Sequence, residues 1–307
     1  MKKLKIGRNK SKILLYSAIL SLMLSVNNFA VAKDITVSKG EELQQVITKA
    51  TEPTKIQFAN DIDISSSKPN NTIPIGANAI EIDGKGKKLI NEKDSKFTFV
   101  KNSSLALKNL KYEGKNASIN INNIDATISL ENVDISGRTT ANYPNGSALF
   151  LKGCDATLNN VSVSSSRVET NQSIYGGIIN LDSAKSRGII TNLIDNQITS
   201  TGTLTGGLIY NRRTQNPFGE LSLKGDVKEN KINANGYING GVLNNEGSSI
   251  QSINWNEVNK NTITSSESSI QGGLIYNKSG TIDSLKINSL SDNTISSNFS
   301  LNGGLIY

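Results

Sequence analysis

A double glycine recurs through the second half of the chain at nearly constant intervals. The first glycine of each pair is Gly176, Gly206, Gly240, Gly272 or Gly303. The intervals are therefore 30, 34, 32 and 31 residues, and a weaker copy of the phrase, NGSALF, places Gly146 another 30 residues upstream. A fixed period of roughly 20–50 residues is the signature of stacked supersecondary units, each in contact with its neighbours. The chain is therefore expected to be a solenoid.

A second phrase, apolar-x-x-Asn-x-Ile, occurs once in each repeat, at residues 193–198, 227–232, 258–263 and 290–295. Its Asn precedes the next double glycine by 10 or 11 residues, and a third apolar alternation lies between the two phrases. Each repeat thus contains about three short strand candidates separated by turns rich in Gly, Asn and Ser. No apolar stripe in the repeats is long enough for a helix.

These patterns predict an all-β fold, a parallel β-helix in which Ile stacks on Ile and Asn on Asn from one coil to the next. The paired glycines would allow a sharp bend or a close backbone approach at the same corner of every coil. An Asn at a turn tolerates a positive φ, and stacked side-chain amides can bond along the ladder.

One helix is predicted, within residues 38–50. Ser38 and Glu41 have capping-box spacing, and the apolar residues recur at helical spacing, namely Leu43, Val46, Ile47 and Ala50. We expect this helix to cover the first coil as part of an N-terminal cap of residues 33–54. Strand patterns then continue over residues 55–307, enough for about eight or nine coils.

The first 32 residues have the pattern of a secretory signal peptide. A basic start precedes the apolar run Ile13–Val26 and the small residues Ala30–Ala32, which predicts cleavage after Ala32 and export of the chain. The apolar run is too short to span a bilayer comfortably. These residues carry six basic groups and no acidic one, so the net charge of +7 falls to about +1 after cleavage. Nucleic-acid binding, which needs a basic patch, is not expected.

The chain has one cysteine and no histidine. This excludes a disulfide within the chain, a histidine-based zinc site and a Ser-His-Asp triad. Cys154 has no histidine to activate it and is interpreted as a small strand residue. Neither a metal ion nor a cofactor is expected.

Two resemblances add to this interpretation. The segments ITVSKGEELQQVI, KIQFANDIDIS, IEIDGKGKKL and SLALKNLKY resemble the start of right-handed β-helix proteins of the pectate-lyase-like superfold, especially secreted bacterial adhesins. The Gly-Gly phrases paired with apolar-x-x-Asn resemble the passenger repeats of the polymorphic outer membrane protein family of autotransporters. That family has Phe where this chain has Leu193, Val227, Val258 and Leu290, and Ala after the glycines.

The resemblances imply a right-handed β-helix with an N-terminal capping helix, exposed at the cell surface or outer membrane. It would attach, without catalysis, to a protein or glycan on host or neighbouring cells. Membrane attachment would come only through a C-terminal anchor or barrel missing from these residues. Because the chain stops in the middle of a repeat at Tyr307, we expect it to be a fragment.

The alternative is a polysaccharide lyase or glycoside hydrolase of the same superfold, which would use clustered carboxylates. The sequence offers Asp61, Asp63, Asp83, Glu131, Asp134 and Asp155. Each has a local pattern that favours a solvated or structural role, such as the tight turn at Asp83. A β-helix nevertheless brings residues one coil apart to within about 5 Å, so carboxylates could still meet in space.

The better candidates for binding lie in segments expected to be loops that break the period, at residues 137–147, 164–175 and 211–220. Arginine and aromatic residues are over-represented at interface hot spots. The candidate binding residues are therefore Arg212, Arg213, Phe218, Arg167 and Tyr143.

Overall fold

The structure is a computed structural model that describes residues 32–65, 72–93, 95–122, 125–137, 139–140, 145–212 and 221–307. Over these residues the chain forms a parallel β-solenoid of about eight turns, with one short helix near the N-terminus. This confirms the fold class expected from the repeats. The predicted signal peptide lies outside the described residues except for Ala32. None of the described residues belongs to a helix with the length and apolar character needed to cross a membrane.

The N-terminal part contains one helix, α1 (Gly40–Lys49), and shorter coils. Its strands are β1 (Lys33–Val37), β2 (Thr54–Phe58), β3 (Ile62–Asp63), β4 (Thr72–Ile75), β5 (Ala79–Asp83), β6 (Lys88–Ile90), β7 (Lys96–Phe99), β8 (Ser104–Glu113), β9 (Ile119–Asn122), β10 (Thr127–Ser136), β11 (Thr139–Thr140) and β12 (Leu149–Lys152).

The C-terminal part consists of larger and more regular coils. Its strands are β13 (Asp155–Ser164), β14 (Arg167–Thr170), β15 (Ile174–Tyr175), β16 (Ile179–Asp182), β17 (Lys185–Ile194), β18 (Gln197–Ser200), β19 (Leu204–Thr205), β20 (Ile209–Arg212), β21 (Leu221–Lys228), β22 (Lys231–Ala234), β23 (Ile238–Asn239), β24 (Leu243–Glu246), β25 (Ser249–Asn259), β26 (Thr262–Ser265), β27 (Ile270–Gln271), β28 (Ile275–Lys278), β29 (Thr281–Ile282), β30 (Leu285–Ser291), β31 (Thr294–Ser297) and β32 (Leu301–Asn302).

Each regular coil visits four parallel sheets in turn. The first sheet has the order β1-β2-β5-β8-β10-β13-β17-β21-β25-β29, with β3, β6 and β30 attached to it. The second is β11-β14-β18-β22-β26-β31, the third is β15-β19-β23-β27-β32, and the fourth is β9-β12-β16-β20-β24-β28, while β4 and β7 form a separate pair. The third sheet was not predicted, because its two-residue strands are too short to show an alternating pattern.

The interior is built from columns of identical or similar side chains. In the fourth sheet Ile179 pairs with Ile209, which pairs with Leu243, and Leu243 pairs with Ile275. All four side chains are fully buried. Because strands of successive coils lie about 4.8 Å apart, each apolar side chain packs directly on the next, and the repeated phrases therefore give one continuous core.

A ladder of asparagines stands at the turn between the first and second sheets. Its members are the buried Asn196, Asn230 and Asn261 and the partly buried Asn293, the Asn of each apolar-x-x-Asn phrase, and neighbouring amides bond at 2.8–3.0 Å. The expected stacking is confirmed, but the positive φ falls on the preceding residue, such as Asp195 (φ 52°) or Glu229 (φ 59°). The ladder fixes the side chain of each Asn inside the turn. The residue before the Asn therefore adopts the left-handed conformation that reverses the chain.

The double glycine turns the chain between the third and fourth sheets, and its two members have different roles. The first glycine has a positive φ, for example 65° at Gly206. The second allows two coils to approach, since a Cβ at Gly207 would lie 2.3 Å from the carbonyl oxygen of Gly241. The double glycine therefore provides both the sharp bend and the close backbone approach that the sequence predicted.

Helix α1 packs on the first coils through Leu43 and Ile47, which are buried. The predicted capping box is wrong in detail, because the N-cap residue is Lys39 and makes no side-chain cap. Instead, the backbone N–H of Ser38 donates to Glu42 Oε2 at 2.7 Å. This bond, followed by the hydrogen bond from the Ser38 hydroxyl, lowers the pKa of Glu42 below its ordinary value.

Candidate binding surface

Arg212 is the last residue of β20 and lies on the exterior of the fourth sheet. In register with it are Asp182 on the preceding coil and Glu246 on the following one, and Lys152 and Lys278 extend the line. We call these five residues the charge row. Its signs alternate from coil to coil, and Lys152 and Lys278 form ion pairs of 3.8 Å with Asp182 and Glu246.

Tyr210 lies beside the charge row, two residues before Arg212 on the same strand. Its hydroxyl donates to Glu246 Oε2 at 2.8 Å, and its ring centre is 5.4 Å from that of Tyr175 in the third sheet. Burial, followed by the bond to the Glu246 carboxylate, raises the pKa of Tyr210 well above its ordinary value. The phenol therefore stays protonated and remains a hydrogen-bond donor at physiological pH.

The pKa of Arg212 is raised above its ordinary value, chiefly by Tyr210; burial, the next largest effect, opposes this, and the Glu246 and Asp182 carboxylates raise the pKa further. Its guanidinium is exposed, so it can still contact a ligand. Arginine in such a position can form planar, bidentate hydrogen bonds with a carboxylate and can stack on rings. Tyr175 and Arg212 are exposed at this corner, whereas Glu246 is partly buried and Tyr210 is buried.

Arg167 has a different environment. It is the first residue of β14 in the second sheet, and its guanidinium forms a 3.1 Å ion pair with Asp195 Oδ2 and also donates to the Asp195 carbonyl oxygen. These bonds hold the exposed turn of the next coil, so Arg167 has a structural partner. The expectation of a loop over residues 164–175 is wrong, because β14 and β15 make this segment an ordinary part of a coil.

The structure does not bring the predicted binding residues together. Arg167 and Arg212 stand on different sheets, with the third sheet between them. Arg213, Phe218 and Tyr143 lie outside the described residues. The sequence analysis named Arg212 but missed Tyr210 and the other four residues of the charge row. Alignment of the repeats on the double glycine places these residues at the fifth and seventh positions, counted from the first glycine.

The six candidate carboxylates are engaged by local partners. Hydrogen bonds bind Asp61 to the Lys88 N–H (2.9 Å), Asp63 to the Ser65 N–H (2.8 Å), Asp83 to the Lys85 N–H (3.0 Å) and Asp134 to the Ser162 hydroxyl (2.8 Å), while Glu131 and Asp155 pair with Lys108 (3.9 Å) and Lys185 (3.6 Å). Along the first sheet Lys108 stands between Asp83 and Glu131, so these carboxylates do not face each other. Among the described residues, no group of three Asp, Glu or Cys side chains could hold a metal ion.

Cys154 is fully buried in the core, but it lies in the bend between β12 and β13 and not in a strand as predicted. Burial raises the pKa of its thiol to about 12. The reactive thiolate is therefore scarce at physiological pH.

Comparison with known proteins gives one match. Residues 25–170 match the model of a family described as a putative pectate lyase-like adhesive domain. The match covers helix α1 and the first coils and ends before the double-glycine coils that carry Arg212. Together with the parallel β-solenoid, it is consistent with a β-helix adhesin of the pectate-lyase-like type. No curated protein and no solved structure matches the chain.

Proposed function

We propose that this chain, whose N-terminal half is similar to a pectate-lyase-like adhesive domain, is a secreted or surface-displayed adhesin. It would attach to a protein or glycan on host or neighbouring cells. The adhesive family match is the observation that carries the proposal. The solenoid supports it by presenting long exterior columns of side chains at fixed spacing, which suits repeated contacts with an extended ligand.

Attachment is favoured over cleavage of a polysaccharide. General acid–base cleavage requires two carboxyl groups on either side of the scissile bond, with one held protonated. Here Asp83 hydrogen-bonds the Lys85 N–H, Glu131 pairs with Lys108, and Asp134 accepts from Ser162. These carboxylates have fixed structural partners, and their positions support a role in holding neighbouring coils.

A bead assay tests the proposal. The full chain is coupled to fluorescent beads and mixed with bacterial and animal cells, and attached beads are counted. We expect saturable attachment that excess soluble protein inhibits. Beads that carry heat-unfolded protein are the control. Equal attachment by folded and unfolded protein, or attachment that soluble protein does not inhibit, contradicts the adhesin.

The same preparation separates adhesion from catalysis. We expect no oligosaccharide to be released from acidic or neutral polysaccharides, with or without Ca²⁺. If oligosaccharide is released, and Glu131→Gln or Asp134→Asn abolishes this release, the protein is a polysaccharide-cleaving enzyme and the adhesin proposal is wrong.

Display at the outer membrane, as in autotransporter passengers, is the finer form of this proposal and rests on the resemblance of the repeats. Protease treatment of intact cells tests it. We expect the protein to be cleaved at the cell surface without lysis; protection until lysis would contradict display.

A further inference from the structure

The exterior of the third sheet differs from that of the other large sheets in its charge. The first sheet has Lys108 and Glu131 outside, the second has Lys231, and the fourth has the charge row. The third sheet has two outward columns, two residues apart on each coil, and they contain no charged residue. Their members are Tyr175, Thr205, Asn239, Gln271 and Asn302, and Ser173, Thr203, Tyr237, Ser269 and Ser300. We call these ten residues the uncharged face.

Exposed aromatic rings recur along the uncharged face. Tyr175 is 45% exposed and Tyr237 is 53% exposed. Tyr237 stands two coils beyond Tyr175 and in the other column, so the two positions are about 12 Å apart on a line inclined to the solenoid axis. A third ring, Phe299, lies two coils further on, next to Ser300, and is 69% exposed. An accessible ring therefore occurs on every second coil.

Hydrogen-bonding groups that remain available lie between these rings. Thr205, Asn239 and Gln271 follow one another in one column, and each is partly exposed. Within the described ranges, their side chains make no hydrogen bond. Asparagines in register on the first sheet behave differently, because Asn132 donates to Asn109 Oδ1 at 3.0 Å. The amides of Asn239 and Gln271 therefore each keep donors and an acceptor for a ligand.

The size of the uncharged face limits what it can bind. Five coils and two columns give a strip about 20 Å long and 10 Å wide. This is roughly a quarter of the ~800 Å² that each partner buries in a stable protein interface. A narrow strip suits one extended chain, and the absence of charge provides no attraction for a polyanion or a polycation.

From this geometry we propose that the uncharged face binds a neutral, linear glycan laid across successive coils. Sugar rings stack on Tyr175 and Tyr237, and hydroxyl groups of the glycan bond with Thr205, Asn239 and Gln271. The distance of about 12 Å between the tyrosine positions is roughly that of two linked pyranose units, so every second sugar meets a ring. This proposal rests on the proposed adhesin, for which it names the ligand class and the site.

A polyproline II peptide is the competing ligand, because aromatic surfaces also bind such segments and their turn repeats at about 9 Å. The amides of the uncharged face favour the glycan. A sugar hydroxyl both donates and accepts, so it can use either end of the Asn239 and Gln271 amides. Proline lacks the N–H that would donate to their oxygens.

Isothermal titration of the full chain with neutral β-1,4-linked oligosaccharides of glucose, mannose and N-acetylglucosamine tests the proposal. We expect affinity to increase with length up to at least about three sugar units, the number needed to reach both tyrosines. Little change is expected between low and high salt, because no charge is matched. Absence of binding throughout the series, or equal affinity for the monosaccharide and the longest member, overturns the proposal.

Two exposed tyrosines provide a matched pair of variants. Tyr237→Ala removes a ring of the uncharged face and is expected to weaken glycan binding roughly five- to tenfold. Tyr307→Ala removes a ring of similar exposure, 56%, which stacks on Tyr276 of the fourth sheet, and is expected to leave binding unchanged. Circular dichroism checks that both variants remain folded. Equal binding by the parent and Tyr237→Ala overturns the site.

The amides provide a second pair of variants. Gln271→Ala removes a donor and an acceptor from the uncharged face and is expected to weaken binding roughly two- to tenfold. Asn256→Ala removes an exposed amide from the first sheet and is expected to have no effect on binding. Tyr237→Phe keeps the ring and should bind within about twofold of the parent. An equal loss in Gln271→Ala and Asn256→Ala contradicts recognition at this face.

The bead assay distinguishes failure of this inference from failure of the adhesin. Cell attachment without binding to any of these oligosaccharides refutes the glycan and leaves adhesion intact. Self-association, or binding to a proline-rich peptide or to polygalacturonate, that is lost in Tyr237→Ala keeps the face but overturns the ligand class. Glycan binding without cell attachment leaves the uncharged face standing as a glycan site and removes the adhesin.

Discussion

The buried asparagine ladder is expected to be a main source of stability between coils, and Asn230→Ala tests it. Asn230 Oδ1 accepts from both the backbone N–H and the side-chain amide of Asn196, each at 3.0 Å. Its own amide donates to the Leu193 carbonyl oxygen and to Asn261 Oδ1, each at 2.8 Å. Truncation to alanine therefore removes four hydrogen bonds inside a fully buried site.

The expected cost follows from the partners left behind. The backbone N–H of Asn196 loses its acceptor, and leaving such a buried donor unpaired costs roughly 1–3 kcal/mol. The side-chain amide of Asn196 keeps a bond to the Val163 carbonyl oxygen at 3.2 Å, so its loss is smaller. When the loss of all four hydrogen bonds is considered together, we expect Asn230→Ala to lower the free energy of unfolding by about 3–5 kcal/mol. This is among the larger effects of single substitutions.

Chemical unfolding in guanidinium chloride, followed by circular dichroism, measures this change. The matched control is Asn256→Ala in β25, because Asn256 is exposed and makes only long side-chain hydrogen bonds, donating to Asp226 at 3.2 Å and accepting from Asn288 at 3.5 Å. Its effect should be within about 0.5 kcal/mol. If Asn230→Ala unfolds at the midpoint of the control, the ladder does not provide the stability argued here. Hydrogen exchange at the Asn196 amide gives a local measurement that does not depend on two-state unfolding.

Three further outcomes are expected. Gly207→Ala should destabilise the protein by roughly 1–3 kcal/mol in the same assay, because its Cβ would meet the adjacent coil at 2.3 Å, whereas Gly76→Ala, with no atom within 4 Å, should be neutral or slightly stabilising. Cys154 should resist alkylation by iodoacetamide at pH 8 until the protein unfolds, because burial raises the pKa of its thiol to about 12; rapid labelling of the folded protein, read by mass spectrometry, would contradict this. Burial alone would raise the pKa of Asp83, but hydrogen bonds from the Lys85 N–H and other donors lower it below its ordinary value of 3.8. Its contribution to stability is therefore present above pH 3.8 and lost as the pH falls further, and Asp83→Asn should reduce that acid-dependent loss in unfolding midpoints measured from pH 6 to pH 2.

The fold was predictable because the same type of buried residue recurs at the same position of each repeat. The columns at Ile179, Ile209 and Ile275 appear in the sequence as one phrase at one period, and the double glycine marks the corner that they share. The two-residue strands of the third sheet were not predictable, since a strand such as Ile174–Tyr175 offers no alternation to detect. Its strand character comes from pairing with Leu204–Thr205 on the next coil.

The candidate surface was harder to predict for a related reason. The search for binding residues followed irregular segments, where Arg212 was found because an insertion follows it. Its structural setting is instead an exterior column that combines residues about 30 positions apart, such as Asp182, Arg212 and Glu246. The lengths of successive repeats differ, so the column becomes visible only when every repeat is aligned on its glycines.

Neighbouring columns of the same sheet carry different information. At Ile209 the pairing column is apolar throughout, because any polar side chain there would be buried against its neighbours. One residue later, the column that contains Tyr210 carries rings and amides, although Asn180, Tyr210 and Asn244 are also buried. The two asparagine amides find acceptors in the backbone of the preceding corner, since Asn180 donates to the Tyr175 carbonyl oxygen and Asn244 to the Asn239 carbonyl oxygen. A buried polar column is therefore tolerated where a backbone carbonyl lies within reach of each amide.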